Sequence, residues 1–210
     1  MNVYVESNFV LEQALEQEQC ESCERLIGMA SAGSVQLVIP AYSLAEPHST
    51  LLHKKNARSR LVSDLRPQLR ELARSRQYRE VSANFDKLED VLTESAERER
   101  KGLQRTIDRM LGAAHVIPLD SRVLDQAGSI EAAYDMSVQD SIVLASVLSH
   151  LGNTTESCFL NRNTKDFDRP DIREMLDEYG CKFFGPSTKA SATLRRASQR
   201  AEGNGDARGI

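Results

Sequence analysis

The sequence contains no tryptophan, and aromatic residues make up only 5% of it. Proteins that hold single-stranded nucleic acid by base stacking present several aromatic faces in a row. The most basic stretch here carries one aromatic, Tyr78, so base stacking is not evident and backbone electrostatics would have to dominate any such binding. No apolar run approaches the length of a membrane span. The start, Met1-Asn2-Val3-Tyr4-Val5, lacks the basic and apolar regions of a signal peptide, which makes the cytoplasm the expected compartment. The four cysteines are then expected as thiols. Cys20 and Cys23 form a C-x-x-C within a helical pattern, but no second pair stands at zinc spacing, and Cys158 and Cys181 read as strand-core residues. His48 and His53 are five apart and do not share a helix face as a zincin pair does. Neither standard glycine-rich phosphate loop occurs, which argues against a nucleotide cofactor.

The composition that remains is that of an ordinary globular chain, 40% hydrophobic and 28% charged, and 210 residues suit one domain with an insertion. Net charge is −4, yet nine basic residues stand against two acids between Lys54 and Arg79. Within that stretch Arg66, Arg70 and Arg74 recur every four residues, a row suited to an anionic partner or to a solvated helical face. Short β-branched runs predict strands at Asn2 to Val5, Val35 to Ile39, Ala114 to Pro118, Ser157 to Asn161 and Cys181 to Phe184. Helical spacing fills the intervals. Ser7 and Asn8 are placed as caps of the first helix, and Asp120 and Ser121 as caps of a later one. Pro67 predicts a break in the arginine-rich helix. Val138 to His150 is apolar on nearly every side and predicts a buried helix with Asp140 in its first turn. Strands alternating with helices imply an α/β class built on a mostly parallel sheet. The expected organisation is one domain over 1–186 with a helical insertion at about 53–111, followed by a flexible tail over 187–210 poor in large apolar residues.

Position singles out four of the thirty-one acids. Glu6 and Asp166 follow strand ends, Asp140 opens a buried helix, and Glu46 interrupts an apolar pattern after the second strand. Taken singly, each reads as a surface carboxylate. Converging in one crevice they would repel one another unless a cation neutralised them. Hard oxygen ligands suit Mg²⁺ or Mn²⁺, and such pockets run metal-assisted phosphodiester hydrolysis.

Four motifs in order, Glu6-Ser7-Asn8 after a first strand, Glu46 in Ser43-Leu44-Ala45-Glu46, Asp140 in Gln139-Asp140-Ser141-Ile142-Val143, and Asn161-Arg162-Asn163-Thr164-Lys165-Asp166-Phe167, resemble the PIN domain. The resemblance covers residues 2 to about 184. It implies a Rossmann-like three-layer α/β/α sandwich with a five-stranded parallel sheet. It also implies a divalent-metal endoribonuclease that cleaves single-stranded RNA to a 5′-phosphate and a 3′-hydroxyl. Glu6, Glu46, Asp140 and Asp166 would then be the catalytic metal ligands, and Ser7, Asn8, Asn161 and Asn163 would orient ligands, water or phosphate. Arg66, Arg70 and Arg74 would take the nucleic acid. Many relatives are toxins of toxin–antitoxin pairs, which adds an antitoxin and a homodimer to the expected partners. The chain departs from the family pattern where Glu6 replaces the usual Asp, Asn161 the usual Thr or Ser, and Asn163 the fourth acid of many relatives. Those departures feed the alternative of a PIN-fold binding module with little or no catalysis.

Overall fold

Val3, Tyr4 and Val5 are fully buried, and their alternation sets the layering of the molecule, because successive side chains of a strand point to opposite faces. Val3 and Val5 enter one apolar cluster with Leu37, Ile39 and Cys158. Tyr4 enters the other with Val38, Phe159 and Phe183. Burial on both faces is the signature of a parallel sheet covered by helices. The structure, a computed structural model, describes residues 1–152 and 156–185, apart from the side chains of 79–84 and 86. The expected tail lies outside the described residues.

Strands β1 (Asn2–Val5), β2 (Gln36–Pro40), β3 (Ala114–Ile117), β4 (Ser157–Leu160) and β5 (Cys181–Phe184) lie in the order β3-β2-β1-β4-β5. Every pairing is parallel. The chain steps outward from β1 to β2 and β3, then returns to the other side of β1 for β4 and β5. The strand order therefore reverses between β1 and β4, the position where open α/β sheets bind ligands beyond their carboxyl ends.

Helices α1 (Ser7–Ala14) and α2 (Cys20–Ser31), with the roots of α3 (Ala41–Ala73) and α4 (Arg79–Ala113), cover one face. Helices α5 (Ser121–Tyr134), α6 (Val138–His150), α7 (Thr164–Phe167) and α8 (Pro170–Glu178) cover the other. The expected three-layer sandwich is thus present. Asp120 caps α5, its side chain accepting from the Val123 N–H at 3.0 Å. No helix among the described residues is long and apolar enough to cross a membrane.

Between β2 and β3 the chain is a long helical hairpin. The 33 residues of α3 and 35 of α4 extend each helix about 50 Å at the usual rise. Among the described side chains only the roots are buried, through Leu44, Pro47 and Leu51 in α3 and Leu103, Thr106 and Met110 in α4. Farther out, Val62, Leu65 and Leu69 on α3 and Phe85 and Leu92 on α4 are half-buried at seam spacing. Arg58 donates to Ser95 Oγ at 2.8 Å and to Glu99 at 2.7 Å, and Arg66 pairs with Glu89. These cross-links explain a correction. Pro67 was expected to break the helix, yet α3 runs through both Pro47 and Pro67. Pro67 is exposed, so the carbonyl that loses its donor faces solvent, while pairing with α4 holds the two halves in line.

Candidate active site

β1 ends at Val5, and Glu6 follows in extended conformation, with φ −132° and ψ −171°. Its Oε2 accepts from the Asn8 N–H at 2.9 Å and from the Ser7 hydroxyl at 3.0 Å. Glu6 itself is therefore the cap of α1. Ser7 and Asn8, expected as caps, already lie within the first turn, where their own side chains cannot reach back as a cap does. The longer glutamate side chain folds over to do so. Only 5% of Glu6 is exposed. Burial pushes its pKa up to about 7, the neighbouring charge of Glu46 adds to the rise, and the hydrogen bonds from Asn8 and Ser7 oppose it.

Asp140 is held by its own helix start. Ser137 caps α6, its Oγ accepting from the Asp140 N–H at 3.1 Å and donating to Asp140 Oδ2 at 2.7 Å. The Ser137 hydroxyl thus caps the helix and steadies the Asp140 carboxylate with the same group. Oδ1 of Asp140 accepts from Asn163 Nδ2 at 3.1 Å, and the same amide donates to Asp166 Oδ2 at 2.9 Å. Asn163 therefore bridges the two aspartates. Its own N–H donates to Asn161 Oδ1 at 2.7 Å, an Asx turn that ends β4. Asn161 is buried, and its Nδ2 has no partner among the described residues.

Glu6, Glu46 and Asp140 line one cleft of about 430 Å³ with Ser7, Asn8, Asn161 and Asn163. It sits at the carboxyl ends of β1 and β4, where the strand order reverses. Asp166 does not line it. Expected to converge with the other acids, Asp166 sits on α7 and joins them only through Asn163, because the turn after β4 spends its inward positions on the two asparagines. No group of three or more His, Cys, Asp and Glu side chains among the described residues is gathered tightly enough to cage a metal ion. The donor chemistry nonetheless fits a hard cation: Mg²⁺ keeps several waters and takes one or two carboxylates, which suits acids spread around a cleft.

Several contributors were not read from the sequence. Thr50, Ser137 and Gln139 also line the cleft; the Ser137-x-x-Asp140 spacing was the available signal for Ser137. Glu12, buried on α1, accepts from the Gln19 N–H at 2.9 Å and pairs with Arg162. This pairing ties the β4–α7 turn to α1, and only the fold reveals it. The arginine row is not brought to the acids. Arg66 lies twenty residues along α3 from Glu46, about 30 Å by helical rise. Arg66 pairs with Glu89 and Arg74 with Glu71, while Arg70 is exposed.

Beside the cleft is a second recess of about 450 Å³, lined by Tyr42, Ala45, Glu46, Ser49, Thr50, His53 and Gln139. Burial pushes the Tyr42 hydroxyl pKa up, and the charges of Glu46 and Asp140 add to the rise.

Fold and cleft together define a Rossmann-like α/β/α protein with an acidic site at the carboxyl ends of its strands. The chain belongs to the PIN-domain family, whose family model matches residues 3–167. Among solved structures it is similar to VapBC2 from Rickettsia felis bound to a DNA fragment from their promoter. That likeness has 11% sequence identity and a TM-score of 0.43, and covers 88% of this chain and 99% of the other. A search of the curated proteins finds no match.

Proposed function

We propose that the chain is a divalent-metal-dependent endoribonuclease acting on single-stranded RNA. The observation that carries this is the meeting of Glu6, Glu46 and Asp140 around one cleft at the strand-order reversal. Glu46, Asp140 and Oε1 of Glu6 would hold the cation. When bound, it supplies a water of lowered pKa and positive charge beside the departing oxygen. Asn163 fixes the orientation of Asp140 and links Asp166 to it. The unpartnered Nδ2 of Asn161 offers a hydrogen bond to a phosphate oxygen, a pairing that removes the cost of a buried orphan donor. Arg66, Arg70 and Arg74 enter the same proposal as distal contacts for flanking RNA. On the family resemblance it also includes an antitoxin protein as partner and the cytoplasm as compartment.

The test is cleavage of a single-stranded RNA across titrations of Mg²⁺ and Mn²⁺. Parent protein should cleave in either ion and stop in chelator, and Asp140→Asn and Glu46→Gln should fall to background while keeping their thermal transitions. Full activity in both variants would remove the assignment. A second reading, a non-catalytic RNA-binding module, is favoured by one observation: Oε2 of Glu6 is committed to its own helix. Parent protein that binds RNA but cleaves none in either ion would select it.

A further inference from the structure

The recess beside the acid cleft is formed by one face of α3. Tyr42, Glu46, Ser49 or Thr50, and His53 recur at spacings of three and four, so they stack along one side of the helix. Gln139, from the first turn of α6, forms the facing wall. Ala45 lies between these side chains and is exposed; its single methyl leaves the space that a longer residue would fill. Glu46, Thr50 and Gln139 belong to both cavities, so a strand crossing the cleft has a continuous path into the recess.

Resting on the nuclease reading, we propose that this recess is a subsite for the nucleotide adjoining the scissile phosphate of single-stranded RNA, with the base lying on the Tyr42 ring. The volume, about 450 Å³, falls in the range of small-ligand pockets. Tyr42 is half-buried against the apolar cluster of the α6 face, so its ring is fixed in place before a base arrives. Ser49, Thr50 and His53 offer hydroxyl and imidazole groups to ribose or phosphate, and the Gln139 amide offers both a donor and an acceptor to a base edge. An unstacked base can lie on a tyrosine, whereas a base inside a duplex is covered by its neighbours. The chain therefore has a stacking platform after all, placed at the acids and not in the arginine-rich stretch.

The experiment compares the full chain with Tyr42→Leu, Tyr42→Phe and Ala45→Leu. The probe is a fluorescein-labelled single-stranded RNA hexamer, read by anisotropy in Ca²⁺, with the hexamer annealed to its complement as competitor. Thermal unfolding of each protein accompanies the titrations. Tyr42→Leu should weaken binding roughly five- to a hundredfold, the range for loss of one base–aromatic stack. Ala45→Leu, at an exposed position, should weaken it comparably by filling the recess. Tyr42→Phe should retain the parent Kd, and the duplex should compete poorly. Parent-like binding by both Tyr42→Leu and Ala45→Leu overturns the subsite, as does a Tyr42→Phe protein as weak as Tyr42→Leu. If that happens while the parent still cleaves RNA, the nuclease reading stands without the subsite. If the parent cleaves nothing in any divalent ion yet binds the hexamer through Tyr42, the subsite stands without the nuclease.

Discussion

A carboxylate that is only 5% exposed is costly to keep charged without a cation. Glu6→Gln should therefore raise the melting temperature of the protein in chelator, because the amide oxygen can still accept the Asn8 N–H while the charge is gone. The same variant should lose cleavage in both Mg²⁺ and Mn²⁺; an unchanged or lowered melting temperature in chelator would contradict the cost assigned to the charge. Far from the cleft, at the other end of α6, burial pushes the His150 pKa down, and neighbouring His115 adds to the shift. Tyr4 Oη and His150 Nδ1 lie 2.8 Å apart, within hydrogen-bond distance. The folded state thus prefers neutral His150 more than the unfolded chain does. This contribution to stability is present above the ordinary histidine pKa of about 6.5 and is lost as pH falls below it towards the lower folded value. Melting temperatures measured between pH 8 and pH 5 should fall less steeply for His150→Gln than for the parent. Equal slopes would show that the imidazole titrates alike in both states.

Gly102 joins the hairpin to the rest of the fold. A Cβ there would run into the backbone carbonyl of Ala14, so α4 crosses α1 at glycine distance. Gly102→Ala should cost about 1–3 kcal/mol, the usual range for overpacking a core, read as a lower denaturant midpoint with unchanged slope. Unaltered stability would mean that the two helices part easily. At this scale much was legible in the sequence. The strands announced themselves through Val, Ile, Phe and Tyr runs, and α6 spans Val138–His150 as its apolar composition implied. What failed was local chemistry overruled by context. Pro67 carries a strong breaking tendency, but contacts between α3 and α4 are set by residues twenty to forty positions apart, which no window of sequence spans. Glu6 was legible as a candidate ligand but not as a cap, since Glu rarely caps and the signal usually belongs to Ser or Asn. Asp166 was legible as a candidate acid, but its link to Asp140 through Asn163 was not, because the turn after β4 that directs Asn161 and Asn163 inward is set by the fold.

The described residues form a sandwich and a projecting arm whose outer part packs little against it. Among the described residues, none between Leu52 and Lys101 is buried, so the outer hairpin adds seam contacts to itself and almost nothing to the sheet. Replacing residues 58–99 by a short turn should leave a cooperative unfolding transition and the far-UV signal of the sandwich. Loss of cooperative unfolding would show that the arm is part of the folding unit. The sheet order has a consequence for synthesis. β1 pairs with β2 on one side, but its other partner, β4, lies some 150 residues later. At ribosomal speeds of about 5–20 residues per second, roughly 8–30 s pass between their emergence. For most of that interval the nascent chain carries Glu6 and Glu46 but not Asp140, throughout it the asparagines after β4 are missing, and one edge of β1 waits unpaired. The acids meet only when nearly the whole domain has been made.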